Sequence, residues 1–122
     1  MIYTVKRDEN ISQTVGFVAP NNVVDLWTFV VPQKSVVRLL KFGNYIDLVA
    51  AWGAITWSIM RNGIADSRYG AILDQLGTSY QPQEIYMDDF HGGDTITIRV
   101  TNAHIANVDI GIRIVGELEE RE

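Results

Sequence analysis

A chain of 122 residues without cysteine is the length of one domain. It is long enough to bury roughly 60–70% of its unfolded surface without cross-links. The missing thiols exclude a disulfide scaffold, a thiolate zinc or iron–sulfur site and a thiol nucleophile. Fifteen acidic against ten basic residues give a formal charge of −5, which argues against gripping a phosphate backbone, since that needs a basic face.

Charged residues make up 20% and hydrophobic ones 47%. Against a usual charged share of about 25% the surface is lean in charge, which points to subunit or partner contacts. The N-terminus holds no apolar stretch long enough for a signal peptide. Residues 48–60 are too short for a membrane span, which wants about 18 or more apolar residues. The expectation is a soluble chain made in a cytoplasm.

In chain order, Ile2, Tyr3 and Val5 precede the charged run Lys6-Arg7-Asp8-Glu9. Such an arm can add as an edge strand, either to a neighbouring molecule or to its own sandwich. Asn10-Ile11-Ser12 fits a glycosylation sequon and reads as a loop. Residues 23–31 put Val23, Trp27 and Phe29 on one face and Val24, Leu26 and Val30 on the other. Residues 35–42 are likewise apolar on both sides, after a Pro32-Gln33-Lys34 turn in which the proline ends the first strand. Two strands apolar on both faces predict cover on both faces, by another subunit or a long loop, and the expectation is a homo-oligomer, a trimer first.

Residues 54–61 alternate, and Asn62-Gly63 ends them with a strong turn signal. Residues 62–82 are a long structured connection that could carry a recognition surface. Within it, residues 71–76 could make a short helix or strand. Residues 84–90 lead through His91-Gly92-Gly93-Asp94, which reads as a tight hairpin turn, into the clearest alternation. There Ile96, Ile98 and Val100 point inward, against Thr95, Thr97, Arg99 and Thr101. Val108, Ile110, Ile112 and Ile114 repeat the pattern. Residues 117–122, with four acids in six, read as a solvated, frayed terminus.

About eight strand-like segments joined mostly by short turns give an all-β, single-domain, antiparallel jelly-roll-like β-sandwich or barrel. In it residues 1–13 are an N-terminal arm or edge strand, 14–117 the sandwich and 118–122 an acidic tail.

Chemistry is sparse. Asp88, Asp89, His91 and Asp94 offer oxygens and an imidazole, but their spacing matches no calcium loop, and a polar turn is the expectation. His91 and His104 lack the neighbouring histidines of a metal-binding cupin. No Gly-x-Ser-x-Gly elbow occurs, and nothing nominates a carboxylate pair for glycoside cleavage. No catalytic residue, metal ligand or cofactor is expected. Trp27, Trp52, Trp57, Tyr45, Tyr69, Tyr80 and Tyr86 could form a sugar-stacking platform, but Trp27 and Trp57 fall in the apolar phase of their strands and belong to the core. Trp52 lies at a bend. Together with Tyr69 and Tyr80 of the long connection, and with Ile2, Tyr3 and Val5, it makes the candidate set for contacting a partner.

Residues 31–40, residues 57–63 and Gly92-Gly93-Asp94-Thr95-Ile96 resemble turn-and-strand elements of viral jelly rolls. Over residues 23–116 the chain resembles the small decoration or cement proteins of tailed-bacteriophage heads. That resemblance implies a non-enzymatic virion structural protein that binds and stabilises a capsid. It implies a homotrimer, with the major capsid protein or another virion protein as partner, assembled in the host bacterial cytoplasm, without nucleic acid or membrane contacts. The alternative is a carbohydrate- or receptor-binding β-sandwich module, with Trp52 and the tyrosines of residues 62–82 at its site.

Overall fold

The computed structural model describes residues 2–10, 17–18, 22–78, 80–105 and 108–121. Its strands are β1 (Ile2–Asn10), β2 (Phe17–Val18), β3 (Val23–Val30), β4 (Ser35–Ile46), β5 (Ile55–Arg61), β6 (Ile64–Ala65), β7 (Gln83–Glu84), β8 (Phe90–His91), β9 (Thr95–Asn102) and β10 (Val108–Arg121). One sheet runs β1-β10-β4-β7, with β2 also on β10 and β8 also on β4; the other runs β3-β9-β5-β6. All pairings are antiparallel. The expected all-β, jelly-roll-like sandwich is the fold.

The alternating strands supply the core. Ile96, Ile98 and Val100 of β9, and Val108, Ile110, Ile112 and Ile114 of β10, are buried between the sheets, with Ile55, Trp57 and Ile59 of β5 beside them. A sheet residue points opposite to its neighbour, so one register settles all of these together.

The two strands that look apolar on both faces have one inward face each, interrupted by a bulge. In β3, Asp25 stands opposite Arg99 and Trp27 opposite Ile98, which leaves Leu26 extra. The inward set is therefore Val24 and Leu26 before the slip, then Trp27, Phe29 and Val31 after it, all in or against the core. In β4, Leu39 faces Gly116 and Lys41 faces Val115, which leaves Leu40 extra. Val37 and Leu39 point inward before the slip, Phe42 and Ile46 after it. An extra residue in one strand shifts the side-chain phase by one. Read without the bulge, a one-sided strand looks two-sided. Val23 and Val30 nevertheless stay exposed on β3.

Both chain ends depart from the expected tails. β1 pairs with β10 from Ile2 opposite Arg121 to Asn10 opposite Arg113, so of the two roles open for the arm the structure shows pairing within its own sandwich. Tyr3 stands opposite Glu120 and Val5 opposite Leu118 in that ladder. Residues 117–121, expected as a frayed terminus, complete β10 between β1 and β4, and Leu118 is buried. Four acids in six residues suggested solvation, but strand alternation places Leu118 inward and its acidic neighbours outward.

The turn at residues 91–94 also differs from expectation. His91 accepts the Asp94 N–H at 2.9 Å, so the turn exists. It is not a hairpin, because β8 pairs with β4 in one sheet while β9 belongs to the other. Pro32-Gln33-Lys34 makes the same crossing beside it. The two crossings are tied by Gly93 N–H to the Val31 carbonyl and Val31 N–H to the Asp94 carbonyl, both 2.9 Å. Gly and Asp announce a change of direction, not which sheet receives the chain.

Asn62-Gly63 is the hairpin expected, with φ of 52° and 80°, the left-handed pair that a two-residue turn between twisted strands requires. The connection that follows closes the open side of the sandwich. Residues 64–72 cover the free edge of β5: Asp66 N–H reaches the Ile59 carbonyl, Ile59 N–H the Tyr69 carbonyl, and Trp57 and Ile72 exchange both backbone bonds at 2.9 and 2.7 Å. Residues 71–76 thus contribute one bridge residue and no helix.

The chain then crosses to β4, where the buried Asn44 side chain donates to the Asp74 carbonyl at 3.2 Å and accepts the Leu76 N–H at 2.8 Å. The Thr78 carbonyl lies so close over Gly43 that a side chain there would collide with it. Asn44→Ala should cost about 1–3 kcal/mol, the penalty for leaving such backbone groups unpaired, measured by urea unfolding. A loss under about 0.5 kcal/mol would show that the crossing holds without it.

Candidate functional site: a groove at a break in the sheet edge

The return from the long connection runs back along β4. β7 pairs Glu84 with Lys41 and β8 pairs Phe90 with Val37. Between those points five residues, 85–89, face three, 38–40. The surplus cannot stay in a ladder, so the chain leaves β4 after the Ile85 N–H bonds the Leu40 carbonyl at 3.0 Å. The gap is an open groove of about 310 Å³ lined by Arg38, Leu40, Arg68, Tyr86, Asp88 and Asp89, among others.

Side chains replace the missing ladder. Tyr69 Oη accepts the Tyr86 N–H at 3.0 Å and Arg68 Nη1 donates to the Tyr86 carbonyl at 3.0 Å. Arg68 and Tyr69 are themselves set by Asp66, whose Oδ2 accepts both backbone N–H groups at 2.8 Å. From the opposite sheet, Arg61 donates Nη2 to the Asp88 carbonyl and Nη1 to the Asp89 carbonyl, both at 2.7 Å. Its guanidinium lies 3.8 Å from the centre of the buried Phe90 ring, a cation–π contact that fixes its plane.

The groove has mixed charge. Arg38 pairs with Glu119 at 3.1 Å and with Asp89 at 3.2 Å. The Glu119 hydrogen bond, then the Asp89 charge, hold its guanidinium more firmly protonated than usual. Tyr86 is 66% exposed. Its hydroxyl donates to Glu84 Oε2 at 3.1 Å, and that bond raises the phenol pKa above its ordinary value. The Asp88 carboxylate makes no bond among the described residues. Among the described residues Arg68 commits only Nη1 of its guanidinium.

Below the groove, Asp94 accepts the His91 N–H at 2.8 Å and the Asn62 amide at 2.9 Å, with Arg61 at 3.4 Å. The His91 backbone bond, then Asn62, lower its pKa below the ordinary 3.8. A carboxyl with a depressed folded pKa stabilises fully above its unfolded pKa and loses that contribution as pH falls through the folded one. Acid titration should therefore weaken the corner below about pH 3.8, and Asp94→Asn should flatten that part of the stability profile. An unchanged profile would remove Asp94 from the acid response.

Of the six sequence candidates, the three whose side chains are described, Trp52, Tyr69 and Tyr80, have different settings. Trp52 is half-buried, with its ring 5.4 Å from that of the core Trp57. Tyr80 stands 93% exposed on the crossing segment. Tyr69 supports the groove wall. The side chains of Ile2, Tyr3 and Val5 lie outside the described residues. Of the residues that build the groove, Arg61 and Arg68 were not singled out from the sequence, Asp88 entered only as a possible cation ligand and Tyr86 only among the aromatics of a possible sugar platform. Among the described residues no group of three or more His, Asp or Glu is arranged to hold a metal ion.

No family model and no curated protein matches the chain. A solved structure it is similar to is the native structure of a family 35 carbohydrate-binding module from Clostridium thermocellum, 14% identical over 96% of this chain and 95% of that one, with a TM-score of 0.38. Nothing about the groove is carried across from it.

Proposed function

We propose that the protein is a non-enzymatic binding module whose groove takes a carbohydrate. The observation that supports this is the grouping around residues 85–89 of the exposed Tyr86 ring, the Arg68 guanidinium and the Asp88 carboxylate, the last two with bonding capacity uncommitted among the described residues. A sugar presents an apolar C–H face and an array of hydroxyls. An aromatic ring matches the first, while planar charged groups hold hydroxyl pairs through strong directional bonds. The Tyr86 ring is tethered at its hydroxyl by Glu84 and at its backbone by Arg68 and Tyr69, so little freedom is lost on binding.

A glycan array followed by titration with the retained oligosaccharide tests the reading. Tyr86→Ala should weaken binding by about 1–2 kcal/mol, roughly five- to thirtyfold, with unfolding unchanged because the ring is exposed. A protein that retains no glycan, or a variant that binds as well as the original, overturns it.

Virion decoration is the second proposal. Its support is that β1 is an edge strand of its sheet with no outer partner among the described residues, so a lattice neighbour can add to it. Stoichiometric recovery of the protein with purified phage particles tests it; absence from the particles ends it.

A further inference from the structure

Asn62-Gly63 has a chemistry besides its turn geometry. In such a pair the Gly63 backbone nitrogen, after losing its proton, can attack the Asn62 side-chain carbonyl carbon. The carbon–Nδ2 bond breaks, ammonia leaves, and a cyclic imide forms. Water then opens the ring at either carbonyl, giving aspartate or isoaspartate. Glycine offers no side chain to hinder the attack, and the turn is exposed. No oxidant or enzyme is needed.

We propose that Asn62 is a site of spontaneous deamidation gated by the corner it belongs to. The Asn62 amide is held at both ends: Nδ2 donates to Asp94 Oδ1 at 2.9 Å and Oδ1 accepts the Thr95 N–H at 2.8 Å. Its own backbone N–H reaches the Thr95 carbonyl at 2.9 Å. These bonds aim the side chain at β9, so attack by Gly63 requires the corner to open first.

The product cannot re-form the corner. The donor that faced Asp94 becomes a carboxylate, set against the Asp94 carboxylate that accepts the His91 N–H. The isoaspartate form also inserts an extra backbone carbon between β5 and β6. Asp94 shares Arg61 with the groove wall, so conversion also loosens residues 88–89. The closed corner protects, and each opening risks a permanent change.

Incubating the folded protein at mildly alkaline pH and mapping peptides for the amide-to-acid mass gain at Asn62 tests this. The same protein held unfolded in denaturant gives the ungated rate. The folded rate should be at least about tenfold lower, the effect of a corner held by more than one net hydrogen bond. Asp94→Ala, checked for folding, should convert roughly three- to tenfold faster than the original. Asp94→Asn, which keeps an acceptor oxygen, should stay near it. Equal rates in folded and unfolded protein overturn the gate, as does a folded Asp94→Ala variant that converts no faster. If Asp94→Ala does not fold, the folded-to-unfolded ratio decides alone.

Discussion

Ile110→Ala should destabilise the protein by about 2–5 kcal/mol, the range for truncating a buried isoleucine to alanine. Ile110 has no exposed surface and sits opposite Ile46 in the β10–β4 ladder. Val108 and Ile112 flank it on the same face, and β10 is an interior strand with neighbours on both sides. That environment cannot collapse easily into the space left behind, which favours the upper part of the range. Single domains have only about 5–15 kcal/mol in total, so the variant should lose a large share of its stability. In urea the midpoint should fall with an unchanged slope, since the surface exposed on unfolding stays the same. A loss under about 1 kcal/mol would mean the β10 register is wrong by a residue, because a one-residue slip turns the whole strand over.

What could be read in the sequence follows from which strands keep a constant phase. β5, β9 and β10 alternate without interruption, and their inward residues were legible from period two as far as Ile114; Leu118 was not, because the acids around it read as a solvated end. β3 and β4 each contain one extra residue, and no property of Leu26 or Leu40 marks it. Apolar residues on both sides of the slip made the two phases merge. The sheet to which a turn delivers the chain was not legible either, because Gly92, Gly93 and Asp94 encode local backbone geometry alone.

The groove was hidden for a related reason. It exists only because β7 and β8 pair at separate points on β4 with unequal lengths between them, and that is a property of pairing, not of residues 85–89. Two signals were nevertheless present. Asn44 follows Phe42 and precedes Ile46 in the inward phase, and Arg61 follows Ile55, Trp57 and Ile59 in theirs. A polar residue in an apolar phase must satisfy its hydrogen bonds inside, and both do so by holding a segment that has left the ladder.

Arg61→Met should therefore act on stability and on the groove at once. Methionine keeps most of the stem and can still lie on the Phe90 ring, but it cannot donate. The Asp88 and Asp89 carbonyls lose bonds of 2.7 Å from a charged group, of a kind worth about 1.5–3 kcal/mol each. The Asp88 bond is exposed, so water recovers part of its share, and the net cost should be about 2–4 kcal/mol. Arg61→Lys keeps the charge but offers a point donor in place of a fork. It can serve one carbonyl well, not two, and should fall between the original and Arg61→Met. With residues 88–89 released, the Asp88 carboxylate is no longer fixed relative to Tyr86, so oligosaccharide affinity should drop roughly tenfold or more in Arg61→Met even where the protein remains folded. Thermal unfolding and a binding titration on the same samples separate the two effects. A variant within about 0.5 kcal/mol of the original would show that the loop keeps its path without the clamp. Full affinity in a destabilised Arg61→Met would show instead that the sugar does not use the wall that Arg61 holds.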